Sequence, residues 1–333
     1  MEIRRVQITG GSSFMITLPK EWAESIGLKK NDPLGLQQQS DGSIVLYPEG
    51  KMVTEKSTIK EIVADDITDR EYLYRQLVGA YIAGHGCIIV KSSNHLSSIT
   101  ANTVSSFVQI AIGLEIMEEN DYSIVINDLM DQNEIKPLKS IMRMKVLVRN
   151  MLNDVLTALE TKNISLLDCM DDRDREVDRI DWLISRQISI YQRDITLSRK
   201  QGITLSSIGR CGVISRAIER IGDHAVLLAH NLLPLIDDTM SDTVDAEIVK
   251  TGRDVIALFS DSITTWENRD MQTANGCIVR GEELVNKAIS ISNMSDELNG
   301  KTAIATELIA GSVKRVAEYS MDVAEVAINA AME

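Results

Sequence analysis

The stretch AIERIGDHAVLLAHN, residues 217–231, decides how the larger part of this chain is interpreted. With 3.6 residues per turn, apolar residues in and around it share one arc of a helix: Ile214, Ile218, Ile221, Ala225, Leu228 and Leu232. Glu219, Asp223 and His230 fall within a strip of about 40° beside that arc. The pattern predicts a core helix with side chains that are able to share one ligand.

A second acidic helix precedes it in the sequence DDRDREVDRIDWLISRQ, residues 171–187. Its carboxylates recur at 3-4-3 spacing, on one stripe: Asp171, Asp174, Asp178 and Asp181. Like charges on one stripe repel each other, so the stripe requires a compensating positive charge. Either a cation held by carboxylate oxygens or nearby arginines supply it. The candidate arginines are Arg173, Arg175 and Arg179 in this helix and Arg216 and Arg220 in the other.

Facing carboxylate pairs of the form acid-x-x-x-acid favour the metal alternative. Carboxylate oxygens suit iron, manganese, magnesium or calcium better than zinc bound by thiolates. A ferritin-like di-iron site is not expected, because it requires Glu-x-x-His. None of the four histidines, His85, His95, His224 and His230, has a glutamate three residues before it.

Composition predicts a mainly α protein of two or three domains. The chain has 333 residues, with 44% hydrophobic but only 4% aromatic residues, a balance that suits helix bundles better than β-sandwiches. A net charge of −14 argues against a protein that coats nucleic acid. The first thirty residues are nevertheless slightly basic, with five basic residues against three acids.

Cysteine usage and the N-terminal sequence predict a cytoplasmic protein. The four cysteines are scattered without zinc-like or disulfide-like spacing, which is typical of reduced thiols. We find no signal peptide and no apolar run long enough to span a membrane. We therefore expect any membrane association to occur through a partner.

Turn signals divide the chain into four predicted domains. Residues 1–50 contain the strand-like runs VQIT and MITL, a helix through KEWAESI after Pro19, and the hairpin of LGLQQQ and SIVLYP. Residues 55–135 form a small α/β unit, with helices near 69–84 and 98–113, a strand CIIVKS and an extended segment, EIMEENDYSIVIND. The rest is helical, with helices at 136–161, 164–199, 203–233, 244–270, 272–293 and 300–331.

A weak internal sequence repeat groups those six helices into two halves. ERIGDHAVLLAH at 219–230 aligns with KRVAEYSMDVAE at 314–325, an offset of 95 residues. That offset suits one three-helix bundle per half. We predict tandem three-helix bundles at 136–235 and 244–331.

With these residues in view, residues 140–331 resemble the PhoU family of phosphate-uptake regulators. The resemblance rests on ERIGDHAVLLAHN, on DREVDRIDWLI one helix earlier and on the duplicated bundle. It implies tandem bundles that bind metal clusters (iron, zinc or manganese) through acid-x-x-x-Asp motifs. The motif matches Asp174 with Asp178 and Glu219 with Asp223, with Asp181 as a possible neighbour.

The second half departs from that family pattern. Lys314 stands where the first half has Glu219, and Glu318 replaces Asp223. A cation therefore occupies the position of a ligand. We expect one competent metal site, in the first bundle, with the second bundle weakly binding or empty.

Residues 1–50 resemble the AbrB/SpoVT-type swapped-hairpin DNA-binding domains. The resemblance rests on RRVQITGGSSFMITLPKEWAESIGLKKNDPLGL followed by DGSIVLYP. It implies that two chains interleave into one homodimeric barrel and present basic residues to DNA. The main candidates are Arg4, Arg5 and Lys20, and Lys29 and Lys30 are weaker candidates. The alternative is a head that only dimerises.

Together the two resemblances imply a cytosolic regulator of phosphate uptake or of phosphate-responsive transcription. Its partners would be DNA and a phosphate transporter or the transporter's signalling proteins. The alternative is an adaptor that docks on the transporter without binding DNA. We expect that the protein is not an enzyme. A metallohydrolase would need a nucleophile with its base or a phosphate-cradling loop, and neither accompanies the acids.

Overall fold

A computed structural model describes residues 3–11, 13–38, 42–48, 58–65, 67, 69–131, 136–194, 197–198, 201–233 and 242–333. The contacts between Cα atoms divide the chain into two compact units, Met1–Ser57 and Thr58–Glu333. Each unit is described by itself below.

The first unit, here called the head, consists of two hairpins and a short helix. Its elements are β1 (Gln7–Thr9), β2 (Ser13–Met15), α1 (Lys20–Ser25), β3 (Leu34–Gln38) and β4 (Ile44–Pro48). β1 pairs antiparallel with β2, and β3 pairs antiparallel with β4. The predicted strand MITL, residues 15–18, is wrong except at its first residue, because β2 consists of Ser13–Met15.

The head has no core of its own in its described part. None of the side chains whose burial is described there is buried, and Phe14 and Leu36 are 77% and 69% exposed. About fifty residues make a marginal independent domain even with a core. Several apolar side chains of the described part of the head, Phe14 and Leu36 among them, are therefore exposed to solvent.

The second unit begins with a two-layer α/β subunit, whose elements are β5 (Ile59–Val63), α2 (Arg70–Ile82), β6 (Cys87–Lys91), α3 (Ser98–Ile110), β7 (Leu114–Asn120) and β8 (Ser123–Asp128). The sheet order is β5-β6-β8-β7, with β5 parallel to β6 and the other pairs antiparallel. β5 is not among the predicted strands, and the predicted extended segment is two strands joined at Asp121–Tyr122.

Within the described ranges six long helices follow, and they confirm the mainly α fold class. They are α4 (Pro137–Thr161), α5 (Met170–Arg193), α6 (Leu205–Leu232), α7 (Asp242–Asn268), α8 (Met271–Met294) and α9 (Gly300–Ala331). Their buried side chains form one continuous hydrophobic core that includes Val148, Ile218, Phe259 and Ala317. The predicted domain boundaries within residues 55–331 stay a prediction.

The predicted helix 164–199 is wrong at its start. A short 3₁₀-helix at Ile164–Leu167 comes first, and α5 begins only at Met170. Between them Cys169 adopts a left-handed backbone conformation with φ of 61°, which no α-helix continues through. The break sets where α5 starts and hence where its acidic stripe lies.

Candidate metal centre

α5 and α6 run antiparallel and bring the two acidic stripes together. Near one end, His230 Nε2 lies 3.3 Å from Asp171 Oδ2. Near the other, the Ser215 hydroxyl donates a hydrogen bond of 2.6 Å to Asp181 Oδ1. Asp174 and Asp178 on α5 and Glu219 and Asp223 on α6 lie between these two contacts.

Asp181 is the carboxylate whose partners within the protein are already in place. Its residue is 7% exposed and accepts the Ser215 hydrogen bond. Arg216 Nη1 lies 3.7 Å from its other oxygen. Sequence reasoning missed Ser215, which an acid-x-x-x-acid pattern gives no reason to single out.

Asp174 has the opposite environment. Its Oδ1 is buried without a hydrogen-bond partner in the described part of the chain. Burial, reinforced by the charges of Asp178, Asp223 and Asp171, raises the pKa of Asp174 to about 7. Opposite it lies Gly222, where an added Cβ would stand 3.2 Å from Asp174 Oδ1. The missing side chain of Gly222 thus leaves the space that this carboxylate occupies.

The other three carboxylates repel each other in the same way. Burial and then the charge of Asp223 raise the pKa of Asp178 to about 6 and that of Glu219 to about 7. Burial also raises the pKa of Asp223. Glu219 Oε1 accepts a hydrogen bond of 2.8 Å from Arg216, but its Oε2 is buried without a partner among the described residues.

The arginines of α5 do not neutralise its acidic stripe. The three arginines that alternate with its acids pair with carboxylates outside the stripe: Arg173 with Asp154 of α4, Arg175 with Asp172, and Arg179 with Glu176. On α6, Arg220 lies over the ring of Tyr319, with its guanidinium carbon 5.6 Å from the ring centroid. Among the described residues, Arg216 is the one candidate arginine that forms an ion pair with a predicted ligand.

The residues therefore fit an oxygen-preferring cation by chemistry and by charge. The donor set is all carboxylate, two of its oxygens lack hydrogen-bond partners among the described residues, and a cation would relieve the mutual repulsion. The described side chains do not yet form a coordination shell, since no group of three or more acids, histidines or cysteines among them has metal-binding spacing. Closing the site would require the side chains of α5 and α6 to move together.

Two further residues frame this site. Tyr74 of α2 is near enough to Asp178 for the Asp178 charge to add to the effect of burial in raising the Tyr74 pKa. The site therefore borders the α/β subunit, a neighbour that sequence periodicity within α5 and α6 does not reveal. His230 contacts Asp171 and is not among the groups that shift the pKa of Asp174.

The corresponding position in the second half is occupied by a cluster of opposite charges. Glu318 lies 2.7 Å from Arg315 and 3.6 Å from Lys314. These two cations already neutralise the carboxylate that aligns with Asp223.

In the head, the three predicted DNA contacts are exposed. Arg4, Arg5 and Lys20 all face solvent, and Lys20 Nζ lies 3.7 Å from Glu24 of the same helix. Among the helices in the described ranges, none is both long enough and apolar enough to cross a membrane.

The fold and the paired acidic helices define a helical-bundle protein with a small β-rich head. Within it, residues 141–232 match the family model described as the PhoU domain. Residues 7–53 match the family described as antidote-toxin recognition MazE, bacterial antitoxin. Both predicted resemblances are thereby confirmed.

Two solved structures are similar to part of this chain. PhoU from Pseudomonas aeruginosa gives a TM-score of 0.50 at 16% identity and covers 58% of this chain and 93% of that one. The phosphate transport system regulatory protein PhoU from Streptococcus pneumoniae gives a TM-score of 0.46 at 17% identity, with 58% and 91% covered. No curated protein sequence matches the chain.

Proposed function

We propose that this protein regulates phosphate uptake by coupling a metal-binding helical body to a dimeric DNA-binding head. The observation that carries the proposal is the presence, in one chain, of a PhoU domain at residues 141–232 and a MazE-type domain at residues 7–53. The proposal has three separable parts, a metal, a dimer and a DNA contact, and each has its own test.

The metal would be held by Asp174, Asp178, Glu219 and Asp223, with Asp181 at the edge of the site. When bound, an iron, zinc or manganese cluster would supply positive charge between α5 and α6. The two partnerless carboxylate oxygens, on Asp174 and Glu219, support this proposal because buried acceptors without partners destabilise a fold. The cations beside Glu318 support a single site in the first half of the helical body.

Elemental analysis of the purified protein tests the metal. We expect iron, zinc or manganese in the wild type and its loss in Asp178→Ala/Asp223→Ala. The control is Asp172→Ala/Asp254→Ala, which removes two exposed acids that pair with Arg175 and Lys287. Metal-free wild type after purification without chelator would contradict the proposal, and so would equal loss in the control.

Homodimerisation through the head is proposed because its described apolar side chains lack a core. A second copy is the simplest surface able to cover Phe14 and Leu36. Sedimentation of the full chain should give a dimer, and Phe14→Glu/Leu36→Glu should give a monomer. Val213→Glu, at a 54% exposed apolar residue of α6, is the control. A double variant that remains dimeric would place the interface elsewhere.

DNA binding by the head is proposed for Arg4, Arg5 and Lys20. Contacts between basic side chains and phosphates release counterions, so the affinity for a duplex should fall as the salt concentration rises. The fall should be less steep when the contacting basic residues are replaced. We expect Arg4→Ala/Arg5→Ala/Lys20→Ala to weaken binding and to flatten its salt dependence. Lys29→Ala/Lys30→Ala is the control in the same head. Equal behaviour of both variants would refute this assignment.

Coupling between the two modules is the last element of the proposal. If metal or phosphate status controls DNA binding, operator affinity must change when either is added to the full chain. Unchanged affinity would instead favour an adaptor that docks on a phosphate transporter or its signalling proteins. The ion pair between Lys20 and Glu24 favours this second candidate, because it offsets one of three predicted DNA contacts. A phosphatase assay on metal-loaded protein tests the proposed lack of catalysis.

A further inference from the structure

The first half of α4 has a charge pattern unlike the rest of the chain. Residues 136–150, KPLKSIMRMKVLVRN, contain five basic residues and no acid, in a chain of net charge −14. No acid lies in the first turn of this helix. Cations at a helix N-terminus oppose the helix dipole, at a cost of about 0.3–1 kcal/mol each. Helix stability alone therefore does not account for the placement of Lys136 and Lys139.

The helix separates this charge from the core. Ile141, Met144 and Val148 point into the core and are fully buried. The opposite face carries exposed residues: Lys136, Leu138, Lys139, Arg143, Val146, Arg149 and Asn150. We call this set the α4 basic face. Lys145 lies at its edge, where its Nζ donates a hydrogen bond of 2.9 Å to Thr264 of α7.

Three of these cations form no ion pair with the residues that the structure describes. Arg143 pairs with Glu176 of α5. No ion pair joins Lys136, Lys139 or Arg149 to any residue in the described part of the chain. Between them lie two exposed aliphatic side chains, Leu138 and Val146, which are 41% and 46% exposed. Lys139 and Arg149 stand about 15 Å apart along the helix, at 1.5 Å per residue.

We propose that the α4 basic face binds a short acidic segment of a partner protein, with apolar side chains set between its acids. Charge complementarity supplies the attraction, and Leu138 and Val146 supply apolar contact. A segment of about five extended residues spans the distance from Lys139 to Arg149. A membrane or a long duplex fits less well, because either broad anionic surface would also face the acidic remainder of this chain. The proposal does not depend on the metal or on DNA binding by the head.

Fluorescence anisotropy of a labelled peptide of about ten residues, glutamates with leucine at every third position, tests the proposal on the full chain. We expect binding at about 50 mM salt that weakens by about tenfold at about 300 mM. Lys139→Glu/Arg149→Glu should lower the affinity at least about tenfold, and Lys139→Gln/Arg149→Gln by less. The positions are exposed, and circular dichroism checks that the helices remain.

The matched control is Lys250→Glu/Lys301→Glu, which changes the net charge equally at two exposed lysines elsewhere. It should leave peptide binding nearly unchanged. Equal loss in the control, or undiminished binding by Lys139→Glu/Arg149→Glu, would overturn the proposal. Binding to phosphatidylserine vesicles and to duplex DNA is measured in the same way. The proposal would also be overturned if Lys139→Glu/Arg149→Glu weakened binding to either of these but left binding to the peptide unchanged.

Discussion

Replacing Arg186 with methionine should destabilise the second unit more than any change of an exposed charge. Arg186 projects from α5 into the α/β subunit, and its side chain is fully buried. It donates hydrogen bonds of 2.7 Å to the Tyr81 carbonyl and 2.9 Å to the His85 carbonyl. Its Nη2 lies 2.5 Å from Asp128 Oδ2, and the Asp128 side chain is only 4% exposed.

The expected loss follows from what Arg186→Met leaves behind. Asp128 would be a buried carboxylate without a counter-charge, and two carbonyls would lose their donor. Removing one partner of a buried ion pair costs about 3–5 kcal/mol. With a urea slope of about 3 kcal/mol per molar, the unfolding midpoint should fall by about 1–1.7 M. Arg186→Met/Asp128→Asn should recover about 1–2 kcal/mol of that loss, because no uncompensated charge remains.

Urea unfolding followed by circular dichroism measures these differences. Arg175→Met is the control on the same helix, since Arg175 is largely exposed and pairs locally with Asp172. It should cost less than about 1 kcal/mol. If Arg186→Met costs no more than this control, or if the double variant is less stable than Arg186→Met, the buried charge is not what holds α5 to the α/β subunit.

Three further outcomes are expected. Gly222→Ala should lower the metal content found by elemental analysis, because its Cβ would crowd Asp174. The control Gly209→Ala, at a position that faces open space on the same helix, should keep the metal and raise the free energy of unfolding by up to about 1 kcal/mol. Equal metal contents in the two variants would contradict this prediction. Burial, with nearby cations, lowers the pKa of His85, so the folded protein binds a proton there less readily than the unfolded chain does. The free energy of unfolding in urea should therefore fall as the pH drops below about 6.5. His85→Gln should lose less of its free energy of unfolding over the same pH range. An equal fall in both proteins would assign that pH dependence to other groups. Added metal should slow amide exchange at residues 123–128 if α5 carries the effect to the α/β subunit, and unchanged exchange there would confine the effect to the helical body.

The helices were predictable because their apolar periodicity is long and is flanked by turn signals. The start of α5 was not, since the left-handed backbone at Cys169 occurs at a residue type that rarely adopts it. β5 was missed for a similar reason: it is a short edge strand in which Ile62 alone is buried, so its sequence shows no clean alternation.

For the candidate site, spacing within a helix identified the carboxylates but not their counter-charges. The arginines of α5 lie between the acids in sequence, yet Arg173 pairs across to Asp154 of α4 and Arg179 pairs with Glu176. Such choices depend on how the helices pack. The same holds for Tyr74, which comes from a helix roughly a hundred residues earlier.

The position of α5 gives the acidic stripe a consequence beyond its own stability. The same helix carries Asp178 toward the acids of α6 and, eight residues later, Arg186 into the α/β subunit. Eight helical residues span about 12 Å, a distance over which a helix moves nearly as a rigid rod. A cation that drew α5 toward α6 would therefore also shift the Arg186 guanidinium, which joins α5 to the α/β subunit. Buried carboxylates that repel each other destabilise the arrangement of α5 and α6, and any cation bound between them would relieve that repulsion.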